Sequence, residues 1–142
     1  MNKLIITLFL MLPLIGCATQ YQPSGLSGGY TDQMTGSNTA TVEFRGNGFM
    51  NATKAKRFAM KRAAELTLER GFDYFLIESG GDYTKNASLP SRIRCSTFGS
   101  STRCRETGGG SVSKPRTQLD IRMFNGKAPN QSGFYDARYL AY

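Results

Sequence analysis

The chain has 142 residues, with 18 Lys+Arg against 10 Asp+Glu for a net charge of +8, three cysteines, and neither histidine nor tryptophan. Without histidine, a Ser-His-Asp or Cys-His nucleophilic arrangement is excluded, and so are the usual zinc sites. The excess of positive charge points to phosphate-bearing partners.

Lys3 precedes an almost unbroken apolar run over residues 4–15. That run is shorter than the roughly 20 residues a helix needs to cross a bilayer and has the shape of a signal peptide. It ends in Leu14-Ile15-Gly16-Cys17, the pattern of a lipobox. Residues 1–16 are therefore expected to be removed, and Cys17 to carry diacylglycerol and palmitate as the first residue of the mature chain. Two or more acyl chains make such anchoring effectively stable. Ala18 follows where an inner-membrane retention signal would place aspartate, so the expected location is the outer membrane, with the domain facing the periplasm. No cofactor is expected beyond the covalent lipid. No nucleic-acid partner is expected in that compartment.

Residues 17–39 read as a lipid-anchored flexible tether, rich in Gly, Ser, Thr, Gln and Asn, with a reach of roughly 70 Å if fully extended. Tyr21, Leu26 and Tyr30 give it more apolar surface than a plain linker needs, so Leu26 and Tyr30 are candidates to dock on the domain. Residues 40–142 are expected to form one α+β domain.

The run Tyr21-Gln22-Pro23-Ser24-Gly25-Leu26-Ser27-Gly28-Gly29-Tyr30 resembles the start of a family of small bacterial outer-membrane lipoproteins. The likeness continues through Phe44-Arg45-Gly46-Asn47-Gly48, Ala64-Glu65-Leu66-Thr67-Leu68-Glu69, Gly71 and the apolar segment 72–77, and covers roughly residues 17–79. It implies location and fold. The family brings no established activity, and the segment holding Cys95 and Cys104 has no counterpart in it.

Ala40-Thr41-Val42-Glu43-Phe44-Arg45 alternates with the period of a half-buried strand. Asn51 is a good N-cap for a helix over 52–70, with Gly71 as its C′ residue. Ala52, Ala55, Ala59, Ala63 and Leu66 form a narrow small-residue stripe, with Phe58 at its edge, able to lie close on a sheet. The opposite side carries Lys54, Lys56, Arg57, Lys61 and Arg62, a candidate surface for an anionic ligand. The bland alternative is a solvated face balanced by Glu65 and Glu69.

Residues 72–78 are the most apolar run of the mature chain and read as a central strand that ends at Gly80-Gly81-Asp82. This strand should run parallel to the first, either adjacent to it or with another strand between. Residues 83–116 read as polar and irregular, with weak strand signals over 91–98 and 101–107. Cys95 and Cys104 are expected to form a disulfide stapling a hairpin, with Phe98 exposed at its tip. Arg92, Arg94, Arg103 and Arg105 make that hairpin a second basic element; Arg94 and Arg103 join the candidate anion-binding set. Residues 117–124 alternate again and should pair antiparallel with 72–78. The aromatic end, 134–142, should dock as a short helix or an edge strand.

The expected architecture is a single α+β domain: one main helix on a mixed sheet of three to five strands in β-α-β-β order, with a disulfide-stapled hairpin. No catalytic or metal-ligating residue stands out among the ten scattered acids. The expected role is non-enzymatic: an envelope accessory lipoprotein whose partners are the membrane, lipopolysaccharide or phospholipid headgroups, or an envelope protein. The alternative is a protein-assembly adaptor that binds by strand addition or through its aromatic C-terminus.

Overall fold

A computed structural model describes residues 19–142; the expected signal segment and lipobox, with Cys17, lie outside the described residues. The elements in order are β1 (Gly29–Met34), β2 (Thr39–Arg45), α1 (Ala52–Glu69), β3 (Tyr74–Ser88), β4 (Ser91–Phe98), β5 (Ser101–Gly108), β6 (Ser111–Phe124), β7 (Phe134–Asp136) and α2 (Ala137–Leu140).

Five strands form one sheet in the order β1-β2-β6-β3-β7, and every neighbouring pair is antiparallel. β2 and β3 run in the same direction, as the strand-helix-strand unit requires, but β6 lies between them. The sheet is thus antiparallel rather than mixed. Its order also departs from β-α-β-β, because β1 precedes that unit and β7 and α2 follow it. β4 and β5 form a separate two-stranded ribbon.

Alternation places Ala40, Val42 and Phe44 of β2, Leu119, Ile121 and Met123 of β6, and Phe75 of β3 on one buried face. Burying a side chain as large as Phe44 or Phe75 contributes roughly 1.5–3 kcal/mol. α1 lies across this face. Asn51 caps it, its side chain accepting from the Lys54 N–H at 2.8 Å. Ala55, Ala59, Ala63, Ala64 and Leu66 are buried, whereas Ala52 lies exposed in the first turn. With methyl groups at the interface the helix axis can approach the sheet closely. Phe58 closes the edge of the stripe, packed edge-on against Phe44 with centroids 5.1 Å apart.

Three expectations are corrected. First, β3 does not stop at Gly80. It bulges at Glu78, between the Ile77–Ile121 and Ser79–Asp120 pairs, and continues to Ser88 beside β6. A Cβ on Gly80 would stand 2.7 Å from the Gln118 carbonyl oxygen, so this glycine permits close strand approach instead of ending the strand.

Second, residues 83–116 are an ordered arm rather than irregular, and the weak strand signals over 91–98 and 101–107 are β4 and β5. It comprises the far ends of β3 and β6 and the β4–β5 hairpin.

Third, the tether does not extend to residue 39. Thr19 is buried; its hydroxyl donates to the Ser27 carbonyl at 2.6 Å and accepts from the Asn47 N–H at 2.8 Å. β1 is a full edge strand. Gly29 permits the turn into it at φ +131, where a Cβ would meet the Gln22 carbonyl oxygen at 2.5 Å. Tyr30 packs against the core, while Leu26 is fully exposed. The C-terminus uses both forms considered for it, the strand β7 running directly into the short helix α2.

Arg62 binds this N-terminal segment to the helix. Its Nε donates to Asp32 of β1 at 2.8 Å, and its two terminal nitrogens donate to the Glu69 carboxylate at 2.8 and 3.0 Å. Its guanidinium also lies over the Tyr30 ring, 4.8 Å from the centroid. Only 11% of the Arg62 side chain is exposed, well outside the range of a solvated surface pair. Arg62→Met should lower stability by roughly 2–3 kcal/mol, because Asp32 and Glu69 are left without their counter-ion. Urea denaturation measures this; an unchanged midpoint would show that the cluster does not hold β1.

Candidate anion-binding arm

The five helix cations expected to form a binding surface are mostly committed elsewhere. Lys54 stands over the Phe58 ring, Lys56 pairs with Asp82 at 3.6 Å, and Lys61 pairs with Glu65 at 3.8 Å while covering the Tyr21 ring. Arg62 is the hub already described. Burial disfavours its charge, but hydrogen bonds to Glu69 and Asp32 outweigh that and hold its pKa above the usual arginine value. Burial, reinforced by its hydrogen bond to Glu65, raises the Tyr21 phenol well above its usual range and keeps it protonated. Arg57 alone among the five has neither an ion pair nor a ring contact among the described residues.

Positive charge instead concentrates in the arm. Residues 83–116 hold seven Lys and Arg against Glu106 alone, a net charge of +6, while the remainder of residues 19–142 holds ten cations against nine acids. The β4–β5 register places Arg94 opposite Arg105, Arg92 opposite Thr107, Arg103 opposite Ser96 and Phe98 opposite Ser101. Side chains on directly paired residues share a face, and alternate residues along a strand return to it. All four arginines and Phe98 therefore lie on one face of the ribbon. Ile93, Glu106 and the Cys95–Cys104 disulfide lie on the other.

Like charges directly opposite one another destabilise a β-pair. Arg94 and Arg105 are such a pair, and Lys85 opposite Lys114 is a second one in the same arm. Both strands of the hairpin are exposed along their whole length, so no core packing offsets the repulsion. The disulfide closes the ladder one residue from the Arg94–Arg105 pair. In the chain-entropy account such a short cross-link contributes roughly 2–3 kcal/mol to the segment it closes.

The arm lay partly in view in the sequence. Arg94 and Arg103 were candidates; Arg92 and Arg105 belong with them. Once Cys95 opposes Cys104, the antiparallel register assigns all four arginines to one face, so the cysteine pair is the signal that finds them.

A cleft of about 390 Å³ opens between α1 and β3, floored by Met60, Ile77, Leu119 and Tyr135, with Lys56 and Arg57 at its rim. These residues are distant in sequence, and nothing in their local pattern announces the cleft. On the sheet face away from α1, Asp120 accepts from Thr41 at 2.7 Å and from Ser79 at 2.6 Å. Those two bonds, Ser79 first, hold its carboxyl below the usual carboxylate pKa despite some burial. Such a group stays ionised at neutral pH and is a poor proton donor. Among the described residues, no three His, Cys, Asp or Glu side chains converge as a metal site would need, and no helix is long and apolar enough to cross a membrane. The aromatic C-terminus is divided: Phe134 contacts Tyr74 and Phe124, Tyr135 stacks on Phe75, and Tyr139 and Tyr142 are exposed.

No protein-family model, no curated protein and no solved structure matches this chain.

Two outcomes follow from this geometry. Replacing Cys95 and Cys104 by serine should accelerate amide exchange in β4 and β5 while leaving the urea midpoint of the five-stranded domain in place, since the hairpin shares no buried surface with it. A large drop in the global midpoint would contradict that independence. Asp120→Asn should destabilise at pH 7, and the gap to the parent should close below about pH 4. A depressed folded pKa adds stability only where the unfolded carboxyl is also ionised, and that gain disappears as the folded group takes up its proton. Thermal melts across pH 3–7 read the difference; a gap that widened on acidification would reverse the assignment.

Proposed function

We propose that the chain is an outer-membrane-anchored periplasmic lipoprotein, held by acyl groups on Cys17, with a non-enzymatic accessory role in the cell envelope. In this reading the domain contacts anionic envelope components, the class that includes phospholipid headgroups and lipopolysaccharide. The observation that carries it is the partition of charge. Lys56, Lys61 and Arg62 are paired with Asp82, Glu65, Asp32 and Glu69, whereas the arm, with Arg116 paired to Glu43, still holds six further cations against Glu106 alone. Basic surface near an anionic membrane gains roughly 1 kcal/mol per Lys or Arg.

Two further features support the location. A disulfide across an exposed hairpin fits an oxidising compartment. Leu14-Ile15-Gly16-Cys17 stands where a lipid attachment signal belongs, and the likeness of residues 17–79 to small outer-membrane lipoproteins points the same way. Of the expected contact, which joined the helix cations to the hairpin arginines, this reading keeps the hairpin part, since Lys54, Lys56, Lys61 and Arg62 have partners within the domain.

Labelling growing cells with radioactive palmitate tests the anchor. The label should enter this chain and follow it into the outer-membrane fraction, and Cys17→Ser should abolish both. A Cys17→Ser chain that is processed and fractionates normally would overturn the reading.

A further inference from the structure

We infer that the β4–β5 hairpin docks flat on a phospholipid surface, its four arginines on lipid phosphates and Phe98 inserted among the headgroups. This rests on the envelope reading above and assigns it a surface and an occupant.

Three observations carry the inference. The register gathers Arg92, Arg94, Arg103 and Arg105 on one face with no acid among them, since Glu106 projects from the other side. Neighbouring arginines on one strand stand roughly 7 Å apart, and paired ones roughly 5 Å. A guanidinium binds phosphate in a two-pronged fashion, so a flat array of this kind suits a sheet of phosphates better than one compact anion. Phe98 then separates a membrane from other polyanions. It is 94% exposed, next to the Gly99–Ser100 turn, on the arginine face at the extreme end of the ribbon. An aromatic tip beside a row of cations is the composition of an interfacial anchor. Inorganic polyphosphate or an anionic glycan offers nothing apolar for that ring. Finally, an anionic surface covering both Arg94 and Arg105 relieves their mutual repulsion, which gives the docked state a gain that a neutral surface cannot supply.

The chain lacks tryptophan, so Phe98→Trp creates a single fluorescent reporter at an exposed position. The full-length lipidated protein carrying it is reconstituted into phosphatidylcholine vesicles with and without phosphatidylglycerol, using lipids brominated on their acyl chains as quenchers. Docking predicts blue-shifted, quenched emission in the phosphatidylglycerol vesicles only. Raised salt should reverse it, and Arg94→Gln/Arg105→Gln should cut the quenching several-fold. Because that double change removes a repulsion, the hairpin remains folded.

Equal emission in both vesicle types overturns the inference. So does a shift obtained with inorganic polyphosphate and no bromolipid quenching, which would assign the face to a soluble polyanion. Flotation separates the two levels of the argument. Protein that floats with pure phosphatidylcholine but keeps an unquenched tryptophan in the phosphatidylglycerol vesicles leaves the anchored lipoprotein standing without a docked arm. Protein that fails to float there removes the anchor, and flotation with phosphatidylglycerol vesicles then reads the arm alone.

Discussion

The domain depends on one nearly buried cation. Arg62 ties the edge strand β1 to α1 through Asp32, closes a two-pronged bond to Glu69 and covers Tyr30. Around it, Tyr21 rests on Tyr30 and Phe58 and donates to Glu65. A polar cluster of this kind holds a geometry more than it adds net stability, because desolvation opposes the Coulomb attraction. Its work here is to give residues 19–34 a fixed place on the helix. Any lipid at Cys17 would therefore be joined to the folded domain by a very short lead, with Thr19 already buried.

The same cluster decides which charges are free. Asp32, Glu65 and Glu69 neutralise the helix, and Asp82 takes up Lys56, so the surface that looks most basic in the linear sequence is close to balanced in space. The arm has no comparable acids. Its strands are polar, exposed and held in register by a covalent bond instead of a core, an arrangement that tolerates repulsion between neighbouring arginines. Charge that a compact domain could not place together can be kept on such a projection.

Much of the sheet and helix was legible in the chain. The alternation in 40–45 and 117–124 yields two strands with the correct inward faces, and Asn51 and Gly71 bound the helix within a residue. The relation of β2 to β3 followed from the strand-helix-strand rule. What escaped was set by contacts between distant segments. Gly80-Gly81-Asp82 has turn composition, yet the bare backbone of Gly80 admits the Gln118 carbonyl and the strand continues. Residues 83–111 lack apolar periodicity because neither of their faces meets a core, so their strands leave only a weak signature. β1 resembles a linker for a similar reason: its partners Arg62 and β2 become visible only after folding. For the site, the helix cations and two of their acids, Glu65 and Glu69, were visible, while Asp32 and Asp82 come from other elements and were not; for the hairpin, the cysteine spacing held the register from the outset.

The most direct measurement observes the guanidinium groups themselves. Arginine Nε–H signals of isotope-labelled protein can be followed by NMR as nanodiscs containing phosphatidylglycerol are added. The account predicts that resonances of Arg92, Arg94, Arg103 and Arg105 broaden or shift together, while that of Arg62, locked between Asp32 and Glu69, stays in place. Perturbation centred on Arg57 and Arg62 with a silent hairpin would contradict it, returning the contact to the helix.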